Sequence, residues 1–271
     1  MQNKYLDPKN YYRKFGFMKD ALLFSPFYSV EKARKIENKK FDKLGFDLEK
    51  GKEEISHILE ELGKDQLEFQ SGMGSIHWLL FSCIKQVADI DNILELGTYD
   101  GETALVLSKL FPDSSITTVD LPANDPIFSS SYGREDDVAR SDFNNKRNKN
   151  LKSHNINYVE RNSFFLAEEV SNQFDLVWVD AGHLYPEISW DICNGYNLCK
   201  DNGWILCDDI IKHKKGLRDE LVSPDSFLIW EYINERIENE VMYFLKRNNH
   251  RFSANPKKRK YVSILKKTSS I

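Results

Sequence analysis

Five short apolar runs dominate the middle of the chain: Asn92–Leu96, Ser115–Val119, Asn157–Glu160, Phe174–Val179 and Gly203–Cys207. Each is rich in Ile, Val, Leu or aromatic residues, which suit a pleated surface covered on both faces. Stretches with helical spacing lie between them, notably Glu102–Phe111 and Pro186–Leu198. Strands that alternate with helices in this way predict a doubly wound α/β sheet, mostly parallel, with right-handed crossovers. A helix from Ser226 to about Glu240 and an antiparallel hairpin from His250–Ser253 and Lys260–Lys266 close it, giving seven strands in all.

The first third follows other rules. Residues 1–46 alternate aromatics with charges (Tyr11, Tyr12, Phe15, Phe17, Phe24, Phe27, Tyr28) and predict short helices and loops packed on another element. From Asp47, Ile55, Ile58, Leu59 and Leu62 mark one helix face, with Gly63 as its stop. A second helix starts after Ser75, its N-cap, with Ile76, Leu79, Leu80, Cys83, Ile84 and Val87 on one stripe. The chain thus divides into a helical N-terminal cap over 1–90, one wall of a substrate pocket, and a sheet domain over 91–271. Residues 122–150 are long for a connection and read as a lid-like insertion over the acceptor site, with Asp136–Leu151 as the helix before the third strand.

Composition removes several classes of function. At 271 residues, 41% hydrophobic and 30% charged, the chain can bury a full core without staples. No apolar run reaches the length of a membrane span, and Met1–Asp20 has no apolar stretch of the secretory kind. Cys83, Cys193, Cys199 and Cys207 form no C-x-x-C pair and sit in apolar contexts, as buried small hydrophobes of a cytoplasmic protein do. The net charge of −4 argues against nucleic acid as a general partner. Its distribution is uneven: nine Lys and Arg and no acid fall between Val241 and Ile271, so the remainder carries −13 once those nine are taken from the total. Lys257-Lys258-Arg259-Lys260 reads as a turn and edge strand that discourages sheet-to-sheet pairing, with an anionic surface or nucleic acid as the alternative. The aromatic N-terminus would also suit a homo-oligomer interface.

An open parallel sheet binds its ligand beyond the carboxyl ends of its strands. The first strand runs into Glu95-Leu96-Gly97-Thr98-Tyr99-Asp100-Gly101, where two glycines permit close backbone approach before a helix. The second ends at Asp120, placed to accept hydrogen bonds from ribose hydroxyls. A dinucleotide loop would need a third glycine, and Glu95 and Asp100 would repel a pyrophosphate. They suit a ligand bearing an ammonium or sulfonium. The fourth and fifth runs lead into Asp180-Ala181-Gly182-His183 and Asp208-Asp209. Three carboxylates converging above a sheet call for a divalent cation, with oxygen ligands selecting Mg²⁺, Ca²⁺ or Mn²⁺; the alternative is that Asp208 caps a helix and Asp209 faces water. His183 suits either a general base or a structural donor to a carboxylate. His213 lies within reach of the same end, and His77 adjoins the loop Gly72–Ser75, which could border the cofactor.

Glu95–Gly101 with Asp120 resembles the first two motifs of class I S-adenosylmethionine-dependent methyltransferases, with their Rossmann-like sheet. The resemblance implies that Gly97, Tyr99 and Gly101 line the cofactor, and that Glu95 supports its amino end. It also implies that Asp120 holds the ribose, Leu121 packs on the adenine and Ser163 reaches the adenine amino group. Asp180 with Asp208-Asp209 resembles the metal site of O-methyltransferases of the catechol type and of the type acting on sugars of natural products. That implies Asp180, Asp208 and Asp209 as ligands of a divalent metal, Mg²⁺ by preference, and a small-molecule acceptor whose oxygen takes the methyl group. His183 or Asp180 would receive the proton, and S-adenosylhomocysteine would leave as product. Asp180–His183 is also similar to the Asp-Gly-x-His stretch of small bacterial methyltransferases, with Ala181 in the glycine's place. Methyl transfer to RNA or protein through the basic C-terminal region, or a non-catalytic nucleoside-binding module, are the rival expectations.

Overall fold

Side chains on a strand point alternately to its two faces, so parity along the chain decides which residues meet. In the computed structural model, which describes residues 19, 22–67, 76–130, 134, 136–170, 173–213, 223–236 and 240–268, that parity sorts two cores. The strands are β1 (Asn92–Leu96), β2 (Ser115–Asp120), β3 (Ile156–Glu160), β4 (Phe174–Val179), β5 (Cys199–Ile211), β6 (Met242–Leu245) and β7 (Lys260–Lys266). They form one seven-stranded sheet in the order β3-β2-β1-β4-β5-β7-β6. The first five are parallel, and β7 runs antiparallel to both β5 and β6. The expected Rossmann-like, doubly wound sheet is therefore present.

One face presents Ile93, Leu176, Trp178, Trp204, Leu206, Phe244, Val262 and Ile264, and buries them against the N-terminal helices and the helix Glu102–Leu110. The other presents Leu94, Leu96, Val177, Val179, Ile205 and Cys207 to the helices Glu187–Leu198 and Asp225–Arg236. The helix Leu48–Glu61 buries the predicted Ile55, Ile58 and Leu59, and the Asp47 side chain caps it by accepting from Lys50 N. Gly63, at φ 63°, follows its end. The helix after residue 75 spans His77–Lys85, while Ser75 and the loop from Gly72 lie outside the described residues, as do Ser131 and Gly133 of the insertion.

Several expectations need correction. Val30–Lys43 is one continuous helix of 14 residues rather than short pieces, capped by Ser29. Its inward stripe is half polar, with Glu37 and Phe41 buried, so an apolar period cannot reveal it. Glu37 accepts a hydrogen bond from Leu245 N at 3.0 Å, and Lys40 Nζ donates to Tyr243 O at 2.6 Å. The helix thus covers an edge strand with side-chain polar groups in place of another strand. The partner of β7 in the hairpin is Met242–Leu245, while His250–Ser253 is a helical turn whose Asn249 cap accepts from Phe252 N at 2.9 Å. Cys193 is exposed, and the other three cysteines are buried and free. Among the described residues no helix is long and apolar enough to cross a membrane.

Phe41 is fully buried, with its ring edge-on to Phe244 at 4.8 Å between centroids. Truncating it to alanine leaves a cavity between the Val30–Lys43 helix and the sheet. Urea unfolding of Phe41→Ala is expected to show a loss of about 3–5 kcal/mol.

Candidate active site

The strand order reverses between β1 and β4, and ligands of open α/β sheets bind at such a switch point. Glu95 lies on the face of Ile93, Asp180 two residues beyond Trp178, Asp208 two beyond Leu206 and Lys246 two beyond Phe244. One face of the sheet therefore delivers all four groups to the crest under the N-terminal helices. His77, on the helix His77–Lys85, stacks flat on Trp178 at 4.5 Å below them. Burial pushes this imidazole down to about 3, so it packs as a neutral ring.

At the β1 end, Glu95 is 1% exposed, and its Oε2 accepts from Thr118 Oγ1 at 2.5 Å, with Thr98 Oγ1 2.6 Å from that hydroxyl. Burial pushes the Glu95 carboxyl up to about 8 against that hydrogen bond. Gly97 has φ 102°, and a Cβ there would lie 2.3 Å from the Asp180 carbonyl oxygen. The glycine is needed because the β1 loop rests directly on the backbone where β4 ends. Tyr99 adopts a left-handed φ of 49° and donates its N–H to Asp120 Oδ2 at 2.8 Å, while Leu121 N donates to Oδ1 at 2.8 Å. Burial raises the Asp120 carboxyl despite these two donors and the nearby Arg134 and Arg147. Gly101, at φ 76°, precedes the helix Glu102–Leu110. Asp100 pairs with Lys146 at 2.6 Å, which leaves Glu95 as the acid with no cation against it in this loop. Ser163 bonds to the Asp191 side chain, and its carbonyl accepts from Asn194 Nδ2 at 2.7 Å.

The described part of the 122–150 insertion packs beside this end. It forms the helices Pro126–Ser130 and Asp137–Asn150, the second capped by Asp136. Phe143 lies edge-on to Tyr99 at 5.2 Å, the Arg134 guanidinium sits 3.9 Å over Phe128, and Arg147 sits 4.9 Å over Tyr158. Phe128 and both arginines are buried. This cation–π layer is an anchor, and no sequence motif marks it.

At the β4–β5 end the three expected carboxylates do gather. Between Cys207 and Ile210, β5 carries one residue more than β7 opposite it, and Asp209 takes a left-handed φ of 55°. This bulge lets two consecutive aspartates serve one site. His183 Nε2 lies 3.6 Å from Asp180 Oδ1 and 3.9 Å from Asp209 Oδ2. Burial holds the His183 imidazole below its ordinary range, against the pull of Asp209 and Asp208. Burial together with the charge of Asp208 raises Asp180.

The positive charge comes from the chain itself. Lys246 Nζ lies 2.6 Å from Asp209 Oδ1 and is ion-paired with Asp208 Oδ2, and Lys260 Nζ is paired with Asp209 Oδ2. Burial works to raise Asp209, but Lys246, His183 and Lys260 outweigh it and hold that carboxylate well below its ordinary range. A dication bound by Asp208 and Asp209 would share three of their four oxygens with two ammonium groups, so the residues as arranged do not fit the expected Mg²⁺. Among the described residues, no group of three or more His, Cys, Asp or Glu is disposed to hold a metal ion. Lys260 thus belongs to the crest rather than to an aggregation-resistant edge. Lys267 also turns inward, donating to the carbonyls of Cys199 at 2.7 Å and Tyr196 at 3.0 Å. The acid-free C-terminal stretch was the sequence signal for these lysines.

Residues 94–210 match the family model described as a methyltransferase domain. No curated protein matches the chain. Among solved structures, the O-methyltransferase TomG from Streptomyces achromogenes, involved in tomaymycin synthesis and in complex with SAM, is similar over 89% of this chain and 99% of its own. The TM-score is 0.50 at 16% identity. An O-methyltransferase from Bacillus cereus in complex with SAH is similar over 88% and 100% of the two chains, with a TM-score of 0.49 at 14% identity. Residues 94–210 are therefore similar to a methyltransferase domain, carried on the Rossmann-like sheet that the sequence implied.

The close approach at Gly97 yields a direct test. In Gly97→Ala the added methyl meets backbone that cannot swing aside, at a φ that L residues rarely adopt. Thermal unfolding is expected to show a loss of about 3 kcal/mol or more; an unchanged midpoint would refute this account of the loop.

Proposed function

We propose that this protein transfers the methyl group of S-adenosylmethionine to a hydroxyl oxygen of a small molecule such as a sugar or natural product. The observation that carries this reading is the adjacency across the switch point. The Gly97 loop rests on the Asp180 carbonyl, and His183 follows three residues later with its imidazole at the acid cluster. A cationic nucleoside held over β1 and β2 thus lies next to a base on the turn after β4.

On this reading, Asp120 holds the ribose, while Tyr99, Gly97 and Gly101 line the methionine part. Leu121 and Ser163 are the proposed neighbours of the adenine, Ser163 with its hydroxyl already turned towards Asp191. Glu95 faces the amino end. When bound, the cofactor supplies an electrophilic methyl carbon. The protein aligns the acceptor oxygen with it and removes the hydroxyl proton. His183 Nε2 takes that proton, and Asp209, with its Oδ2 at 3.9 Å, and Asp208 stabilise the imidazolium that forms. The oxygen–methyl bond forms as the methyl–sulfur bond breaks, and the sulfur leaves neutral in S-adenosylhomocysteine. An RNA or protein acceptor is less well supported, because Lys246, Lys260 and Lys267 of the basic region turn inward.

Calorimetric titration with S-adenosylhomocysteine and with NADH separates this reading from a nicotinamide enzyme. Absence of S-adenosylhomocysteine binding at about millimolar concentration would sink it. With an acceptor in hand from a hydroxyl panel, His183→Ala is expected to lower kcat about 10²–10⁴-fold while leaving product affinity nearly unchanged. Cofactor binding without turnover on any acceptor would favour the non-catalytic module.

Glu95 gives a pH dependence. A carboxyl raised to about 8 is protonated at neutral pH, and a neighbouring ammonium favours its ionised form. Binding below pH 8 therefore expels a proton, and affinity weakens as the pH falls. Calorimetry at pH 7 in buffers of different ionisation enthalpy is expected to show release of about one proton per S-adenosylhomocysteine, and Glu95→Gln should abolish it.

A further inference from the structure

The acid cluster at the ends of β4 and β5 has the composition of a divalent-cation site but not its vacancy. Asp208 is buried; its Oδ2 and both carboxylate oxygens of Asp209 are paired with lysine ammonium groups, while its Oδ1 is buried without a partner among the described residues. Lys246 reaches Asp208 and Asp209 together, and Lys260 takes the second oxygen of Asp209. The Lys246 side chain is 10% exposed, that of Asp208 4% and that of Asp209 13%, so this is an interior ion cluster rather than a pair of surface salt bridges.

Its position is fixed by the backbone. Lys246 immediately follows β6, and its N–H donates to the Lys260 carbonyl at 3.0 Å, so the two lysines lie side by side across the β6–β7 ladder. Lys260 in turn is opposite Ile211, two residues past Asp209 on β5. The bulge that turns Asp209 towards the site ends where Lys260 begins its strand. Two cations and two anions are thus set in register by one antiparallel ladder. A hard dication needs about six oxygen ligands in its first shell, with Mg²⁺ at about 2.0–2.1 Å. Here the carboxylate oxygens of Asp209 already bind ammonium hydrogens, and the charge that the acids demand is present.

We infer that Lys246, with Lys260 beside it, holds the place of the divalent cation, so that this protein carries out its proposed methyl transfer without a metal. Lys246 is then a positioning residue: it keeps Asp208 and Asp209 fixed beside His183 in the absence of any ion. This also bears on the acceptor. A metal ion selects acceptors that offer two adjacent oxygens, whereas a site neutralised internally imposes no such demand and takes a lone hydroxyl. The inference rests on the function proposed above, but its test does not require an acceptor.

Mn²⁺ binding to the purified full chain, read by electron paramagnetic resonance, is the test. Wild type, stripped with EDTA and desalted, is expected to hold no stoichiometric Mn²⁺ up to about 1 mM, the weak end of protein sites for hard cations. Lys246→Ala exposes the carboxylates and should gain one Mn²⁺, at least about tenfold tighter than wild type. Lys246→Gln, which keeps the side-chain length, should do the same if the alanine variant fails to fold, and Lys246→Arg should remain free of Mn²⁺. Stoichiometric Mn²⁺ on wild type that Asp209→Asn removes would overturn the inference. So would a folded Lys246→Gln that gains no Mn²⁺, since the acids would then not form a cation site even when vacated. Failure of S-adenosylhomocysteine to bind, by contrast, would defeat the proposed function and leave the metal result standing.

Discussion

The ion pairs from Lys246 to Asp208 and Asp209 join the end of β6 to the end of β5 across the intervening β7, and the crest is organised around them. Charges taken out of water are costly unless they meet opposite charges and satisfied hydrogen bonds. Such a cluster is weak support for stability and strong support for one arrangement, because losing a single partner strands the others. Here the cluster demands that the antiparallel hairpin stand in one register against β5, since a one-residue slip would turn Lys246 to the opposite face. The left-handed backbone at Asp209 is part of the same constraint. A non-glycine residue there is strained, and the two ammonium groups on its carboxylate supply what holds it.

The crest has two ends with opposite electrostatic preparation. At β1, Glu95 sits with hydroxyl partners and, among the described residues, no cation against it, so burial keeps it protonated near neutrality. At β5, Asp209 meets three cationic or basic groups and stays ionised throughout the ordinary range. Carboxyls pushed in opposite directions by their surroundings mark a division of labour. One end holds a buried acid with hydroxyl partners, while the other holds acids paired with ammonium groups. The Gly97 loop brings the two ends together, because without a side chain it can rest on the Asp180 carbonyl.

Much of this could be read from the chain. The β1 and β4 segments have the very bounds predicted for them, the helices around residues 102–110 and 187–198 fall where periodicity placed them, and the helix 137–150 falls in the second half of the long connection, as expected. Parallel strands buried on both faces leave a dense apolar signal, and the residues just after them are easy to place. The helix Val30–Lys43 stayed hidden because its inward face carries Glu37, whose role is to satisfy Leu245 N on an edge strand, and no apolar period records that. The hairpin was shifted by several residues because the Met242–Leu245 strand is short and the basic turn after it draws attention to the wrong segment. Arg134 and Arg147 escaped notice because a charged run normally signals a solvated face, whereas both lie buried on aromatic rings.

The metal expectation shows a limit of a different kind. Two adjacent aspartates beyond a strand, with a third beyond its neighbour, state an electrostatic demand that any reader of the sequence can see. Nothing local states what meets that demand, since a cation from solution and an ammonium from a distant strand satisfy the same equation. Lys246 is 37 residues past Asp209 in the chain, and only the pairing of β6 with β7 and β7 with β5 brings it home. The information was nonetheless present in the charge distribution: a C-terminal stretch holding nine cations and no acid, attached to a body that is strongly negative. In a sheet whose last strand returns antiparallel beside the acidic crest, such a stretch is a natural source of an internal counter-ion. Acid clusters at strand ends are therefore best weighed against the basic residues of the strands that finish the sheet before an ion is assigned to them.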